Sequence, residues 1–175
     1  MFDSPERKER LSKMNNDFLQ KLTELESEFI QEEKGNYSLS PRAVPDSANF
    51  SSDILGDEEV GIDFDIQLEN IEALYYEGLK VPRWENIKAD NATEKKALYE
   101  ESFQKCTADY PLISRVSDTD RKVTYTPEEV LQLRQECERV LNNTNDPKAV
   151  KALHKFLIIC NKVAGRRMGL LLLPS

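Results

Sequence analysis

"TPEEVLQLRQECERVLNNTNDPKAVKALHKFLIICNKVAGRRMGLLLL", from Thr126 to Leu173, carries the clearest structural grammar in the chain. Thr126, Pro127 and Glu129 supply an N-cap, a first-turn proline and a capping-box acid in order. The predicted helix runs to about Leu141 on Val130, Leu133, Cys137, Val140 and Leu141. Asn142 to Asn145 is a polar turn, and Asp146-Pro147 starts a second helix through Val150, Leu153, Leu157, Cys160 and Ala164. Two helices joined by so short a turn are expected to form an antiparallel hairpin. The stretch from Gly165 to Gly169 breaks the second helix. Arg166 and Arg167 stand near its end, where cations suit the helix dipole. Leu170 to Leu173 is wholly apolar and reads as a short buried strand.

Working upstream, residues 112–116 and 122–125 read as short extended pieces around a polar turn, with Pro111 stopping the helix before them. That helix begins at Asn91, with Glu94 as capping-box partner, and Leu98, Tyr99, Ser102, Phe103 and Cys106 form its expected inner face. Val60, Ile62, Phe64, Ile66 and Leu68 alternate with Gly61, Asp63, Asp65 and Gln67. A period of two predicts a half-buried strand over 60–68, with Asp63 and Asp65 outward and roughly 7 Å apart. A short helix is expected over 69–79 on Ile71, Leu74, Tyr75 and Leu79. Residues 36–59, with Pro41, Pro45, Gly56 and many serines, show no sustained apolar face and read as an irregular acidic connector.

At the N-terminal end, Leu11, Met14, Phe18, Leu22, Leu25 and Phe29 recur every three or four residues. They form one stripe on a helix of about thirty residues, roughly 45 Å long. Ser4 and Pro5 suit its start, and Gly35 suits its end. The stripe is expected to pack on its own domain; the same pattern, over residues 4–34, also fits a homodimer seam. The elements together predict an α+β, predominantly helical fold in one domain spanning 1–175. It has a long N-terminal helix, a C-terminal helical hairpin and short strands at about 60–68, 112–116, 122–125 and 170–173.

At 175 residues the chain is long enough to bury a core without disulfides or metals. No apolar run approaches the roughly 18 residues that span a bilayer. The opening MFDSPERKER has no apolar core behind its bases, so it does not read as a secretory signal. A cytoplasmic protein is expected. Cys106, Cys137 and Cys160 are far apart and form no CxxC, which fits reduced, packed thiols rather than a zinc site.

Catalytic patterns are sparse. His154 is the sole histidine, and Cys160 lies about 240° around the same helix, so the two do not meet as a nucleophile–base pair within it. The glycines form neither GxxxxGK[ST] nor GxGxxG. A calcium loop counted from Asp57 would need glycine at Ile62 and an acid at Leu68. Neither a metal nor another cofactor is expected, and the chain does not read as an enzyme. The lowest-ranked alternative is a hydrolase using Asp63 and Asp65. The basic clusters are small and the overall field would repel phosphate, so nucleic acid is not the expected partner.

The strongest functional signal is charge. Between Arg42 and Lys80 there is no lysine or arginine, and these 37 residues hold ten of the chain's 32 acids. The other 138 residues carry 22 acids against 24 bases, net +2, so the overall charge of -8 is local in origin. Local charge of one sign steers an oppositely charged partner. Asp57, Glu58, Glu59, Asp63, Asp65, Glu69, Glu72 and Glu77 are the candidate partner-binding acids. Tyr75, Tyr76 and Trp84 are the candidate aromatic anchors among them.

"YTPEEVLQLRQECERVL" (125–141) and "AVKALHKFLIICNKVAGRRMGLLLL" (149–173) resemble, in their capped helix pair and apolar terminal strand, small bacterial proteins that accompany secreted toxins. The layout, over about residues 112–173, is similar to the immunity proteins of contact-dependent growth inhibition and related toxin–immunity pairs. The resemblance implies a small cytosolic protein that binds a cognate basic toxin domain, frequently a nuclease, and blocks its active site. The alternative from another class is a helical adaptor or structural protein that dimerises through its N-terminal helix.

Overall fold

The computed structural model of the protein describes residues 5–32, 37–44, 62–117 and 120–174, with side chains from residue 16 onward. Helix α1 (Pro5–Ile30) leads to strand β1 (Ser38–Val44). Strand β2 (Ile66–Gln67) follows, then helix α2 (Leu68–Ala73), which continues as a π-turn over Leu74–Gly78. Helix α3 (Ala92–Asp109), strand β3 (Val123–Tyr125), helices α4 (Pro127–Leu141) and α5 (Pro147–Gly165), and strand β4 (Gly169–Pro174) complete the order. The four strands form one antiparallel sheet in the order β2-β1-β4-β3. The architecture is the α+β, mainly helical one expected, including the C-terminal hairpin.

Local caps hold where the chain spells them. Thr126 Oγ1 accepts from the Glu129 N–H at 3.2 Å, and the Glu129 carboxylate accepts from the Thr126 N–H at 3.0 Å. Asp146 accepts from the Ala149 N–H at 3.0 Å. Asn91 accepts from the Glu94 N–H at 2.8 Å, while Glu94 reaches back to the Asp90 N–H rather than to that of Asn91.

Helix α5 is the centre of the molecule. Every residue from Ala152 to Cys160 is buried, because α4, α2, α1 and the sheet surround it. A helix covered all round is apolar all round, and the stretch over 152–160 obeys this except at His154 and Lys155. The Lys155 ammonium is fully buried, yet each of its three donor directions is used. It donates to Glu32 Oε2 at 3.1 Å, the Asp65 carbonyl at 2.8 Å and Gln67 Oε1 at 2.6 Å. The rings of Phe29 and Phe64 flank it at 5.2 and 5.9 Å. Burial lowers the Lys155 pKa and Glu32 offsets part of that shift.

The stripe of α1 is used within the chain. Leu22 and Phe29 join the main core, Phe18 and Leu25 pack against it, and Glu26 pairs with Lys162 of α5 at 2.8 Å. The ends at Ser4 and Gly35 lie outside the described residues, as do the side chains of Leu11 and Met14.

Four expectations need correction. The irregular connector over 36–59 contains a strand: residues 38–44 are β1, at the middle of the sheet, paired with β4 from Leu39↔Pro174 to Val44↔Gly169. Leu39, Pro41 and Ala43 are its buried face, and Ser40 and Arg42 its half-buried one. Pro41 is tolerated because β2 pairs only with Ser38 and Leu39, so among the described residues no strand pairs with that edge of β1 at Pro41. Residues 45–59 lie outside the described residues.

Of the strand expected over 60–68, residues 60 and 61 lie outside the described residues, only Ile66–Gln67 pair with β1, and Leu68 already begins α2. The alternation persists without the ladder: Ile62, Phe64 and Ile66 are buried while Asp63 is exposed.

Residues 112–116 are not a strand but enter a 3₁₀ turn over Ile113–Ser117. Side chains, not a neighbouring strand, satisfy the backbone there. The buried Glu136 carboxylate accepts from the N–H groups of Leu112 and Ile113, each at 3.1 Å. Tyr125 donates to the Leu112 carbonyl at 2.8 Å, and Tyr75 to the Ile113 carbonyl at 2.7 Å. Finally, the inner face predicted for the helix after Asn91 is thin. Only Cys106 is buried, Tyr99, Ser102 and Phe103 are half-buried, and Leu98 is exposed.

The turn from α5 into β4 places Arg167 in the left-handed region at φ 56°. Gly169 follows where a Cβ would stand 2.5 Å from the Tyr125 carbonyl oxygen, so β3 and β4 approach this closely only over a glycine.

Removing one partner of a buried, hydrogen-bonded charge leaves the rest uncompensated and costs about 3–5 kcal/mol. Lys155→Ala is expected to lower the unfolding free energy by that amount, read from urea midpoints. Lys151→Ala, at a half-exposed ion pair with the same Glu32, should cost about 1 kcal/mol or less. Equal losses for the two variants would contradict the role given to Lys155.

Candidate functional site

The sequence nominated eleven partner-binding residues. Asp57, Glu58 and Glu59 lie outside the described residues. The other eight fall on the segment from Asp63 to Trp84, and the fold separates them into distinct roles.

Asp63, Glu72 and Glu77 are exposed, and among the described residues no cation pairs with any of them. Asp65 is drawn inward: its carboxylate accepts from the Ser38 hydroxyl at 3.2 Å and its carbonyl holds Lys155. Glu69 is exposed but lies 3.6 Å from Lys148 at the start of α5, a surface pair of small energetic weight. Tyr75 is buried, its hydroxyl committed to Ile113, and burial pushes its phenol far up. Tyr76 is half-buried with the Arg83 guanidinium 4.2 Å above its ring. Trp84 is 43% exposed; its ring meets Tyr99 edge-on at 5.9 Å, and the Lys95 ammonium stands 5.0 Å from it.

Three of these residues, Glu72, Tyr75 and Tyr76, border a cleft. Glu72 and Tyr76, one turn apart on α2 and its π-extension, form one side, with Leu68 and Ile71 beside them. Tyr99 and Phe103, one turn apart on α3, form the other. Tyr75, Val81 and Ser117 complete a cavity of about 210 Å³. Burial, then the nearby Tyr76 phenol, raises the Tyr99 pKa.

The π-turn shapes this wall. Leu79 N–H bonds to the Leu74 carbonyl at 2.8 Å, five residues back, and the chain then reverses through Lys80 at φ 61°. π-turns are rare and recur at functional sites. Gly78 sits inside it because a Cβ would come within 3.1 Å of Leu74 and 3.2 Å of Val140.

Tyr99 and Phe103 were missed as site residues. Their four-residue spacing was legible as a helix face, but only the tertiary fold sets that face opposite Glu72 and Tyr76.

The thiols are the reverse of activated nucleophiles. Burial pushes Cys106 up to about 11 and Cys160 up to about 12, and raises Cys137 well above the ordinary range. A reactive cysteine needs a lowered pKa. The chain matches no protein-family model, no curated protein and no solved structure.

His154 is buried in α5 with its ring 6.3 Å from that of Phe18. Burial, then Lys21, holds its pKa below the ordinary 6.5. The unfolded chain therefore binds a proton that the folded chain refuses. Its contribution to stability is complete above pH 6.5 and is lost as pH falls through the lowered value. Glu136 acts with the opposite sign: burial raises its carboxyl above 4.5, so its contribution fades as pH rises past that point. His154→Gln is expected to flatten the decline in urea midpoint as pH falls below 6.5. An unchanged slope would remove the histidine from the acid response.

Proposed function

We propose that this protein is an inhibitor that docks on a basic protein domain and covers its cationic surface. The supporting observation is the combination on one ordered segment. Exposed Asp63, Glu72 and Glu77 have no cation pairing with them among the described residues, and Glu72 lines an aromatic cleft. Unpaired carboxylates steer a basic partner in and raise its association rate. Aromatic rings at the same place supply the apolar contact that a charged rim alone lacks.

The partner's class comes from the layout of residues 112–173, which resembles toxin-immunity proteins. A basic toxin domain, of nuclease type, fits both the charge and the resemblance: a cleft built to hold phosphates attracts a surface of carboxylates. Neutralisation then needs no chemistry from this chain, only occupancy of the toxin's active site.

A large secreted protein with a basic C-terminal domain is expected in the neighbouring upstream reading frame. Its C-terminal domain should be toxic when expressed alone and harmless when co-expressed with this chain. The triple reversal Asp63→Lys, Glu72→Lys, Glu77→Lys should abolish protection and raise the Kd by more than about tenfold, mainly through slower association. Binding by the unaltered chain should weaken with added salt. A Kd unmoved by both the reversal and salt would remove the acidic face from the interface.

A further inference from the structure

We propose that the cleft between the π-turn and α3 receives one arginine side chain of the partner. This deepens the reading of the acidic face as a docking surface and rests on it. Three features of the cleft select that occupant.

The first is its lining. Tyr76 on one side faces the helix carrying Tyr99 and Phe103, and the Glu72 carboxylate belongs to the same cavity. Rings present their negative faces to a cation, and a carboxylate accepts a forked pair of N–H bonds from a guanidinium. The second is its size. About 210 Å³ is below the roughly 300–1,000 Å³ of a small-molecule site, and it accommodates a single long side chain.

The third is that one ring of the cleft already holds a cation of the chain itself: the Arg83 guanidinium lies 4.2 Å over Tyr76, and Arg83 is not part of the cavity's lining. Arginine is preferred over lysine because its flat, weakly hydrated head stacks on a ring and still offers N–H groups in its plane to Glu72.

The cleft also has one firm and one loosely held wall. Tyr75 ties the π-turn to Ile113, and Gly78 sits against Val140 of α4. Helix α3 has only Cys106 buried. A guanidinium between Tyr76 and Tyr99 would therefore fasten α3 to the body.

The test is an NMR titration of the full chain, with aromatic side chains and backbone amides labelled. The probes are N-acetyl-arginine N-methylamide, the lysine analogue and the uncharged citrulline analogue. With arginine, the ring signals of Tyr76, Tyr99 and Phe103 should shift saturably and amide exchange in α3 should slow. Lysine should bind more weakly, and citrulline should leave the rings unmoved. Glu72→Gln, at an exposed position, should weaken arginine binding about fivefold.

Citrulline shifting the rings as arginine does, no ring shift with arginine, lysine binding as well as arginine, or indifference to Glu72→Gln would each overturn the proposal. The titration uses no protein partner. If it fails while the basic toxin domain still binds in a salt- and charge-dependent way, the cleft assignment falls and the acidic face stands. If the rings bind arginine but reversing Asp63 and Glu77 alone, with Glu72 kept, leaves toxin binding unchanged, the wider acidic face falls instead.

Discussion

The ammonium of Lys155 is the point at which three separate parts of the chain are held together. Burying such a charge costs several kcal/mol even after relaxation. The cost is offset only because Glu32, the Asp65 carbonyl and Gln67 all converge on it between the rings of Phe29 and Phe64. Glu32 follows the end of α1, Asp65 and Gln67 belong to the β2 segment, and Lys155 is on the central helix α5. None of these segments is adjacent in sequence to another. Their arrangement decides which way the acidic segment faces: with Ile62, Phe64 and Ile66 buried, alternation sends Asp63 out.

A second buried charge organises the opposite side of the candidate site. Glu136 accepts from Leu112 and Ile113, while Tyr125 and Tyr75 donate to the carbonyls of the same two residues. Four backbone groups that would otherwise need a strand partner are thereby satisfied by side chains, which buried polar groups require. Tyr75 belongs to both this network and the cleft. The floor of the cleft is thus rigid through hydrogen bonds, whereas its α3 wall depends on half-buried aromatic contact. Rigid scaffolding under an exposed aromatic and acidic rim suits recognition, since side chains already in place lose less entropy on binding.

Legibility in the sequence followed the range of the forces involved. The caps at Asn91, Thr126 and Asp146 act over three or four residues and could be read directly. The α4–α5 hairpin, the leucine strand and the stripe of α1 follow from periodicity and were also legible. Strand β1 was hidden because Ser38, Ser40, Pro41 and Arg42 are poor strand residues by themselves; pairing with β4 from the far end of the chain overrides that preference. Leu112 to Val116 misled in the other direction. Its composition suits a strand, but a carboxylate from α4 captured the two N–H groups first. In the candidate site the acids and three aromatics were visible as composition. Their division into exposed Asp63, Glu72 and Glu77, inward Asp65 and buried Tyr75 was not.

The sequence by itself determined the helices, their caps, the α+β class and the concentration of acid between Arg42 and Lys80. Each depends on residue type and short spacing, and those are properties of the chain before it folds. The tertiary structure alone decided that β1 is central, that Lys155 binds α1 to the acidic segment, and that Tyr99 and Phe103 stand across from Glu72 and Tyr76. These depend on which distant groups meet when α5 is enclosed. Burial turns a polar side chain into a bond that must be made, and only the folded chain shows with whom it is made.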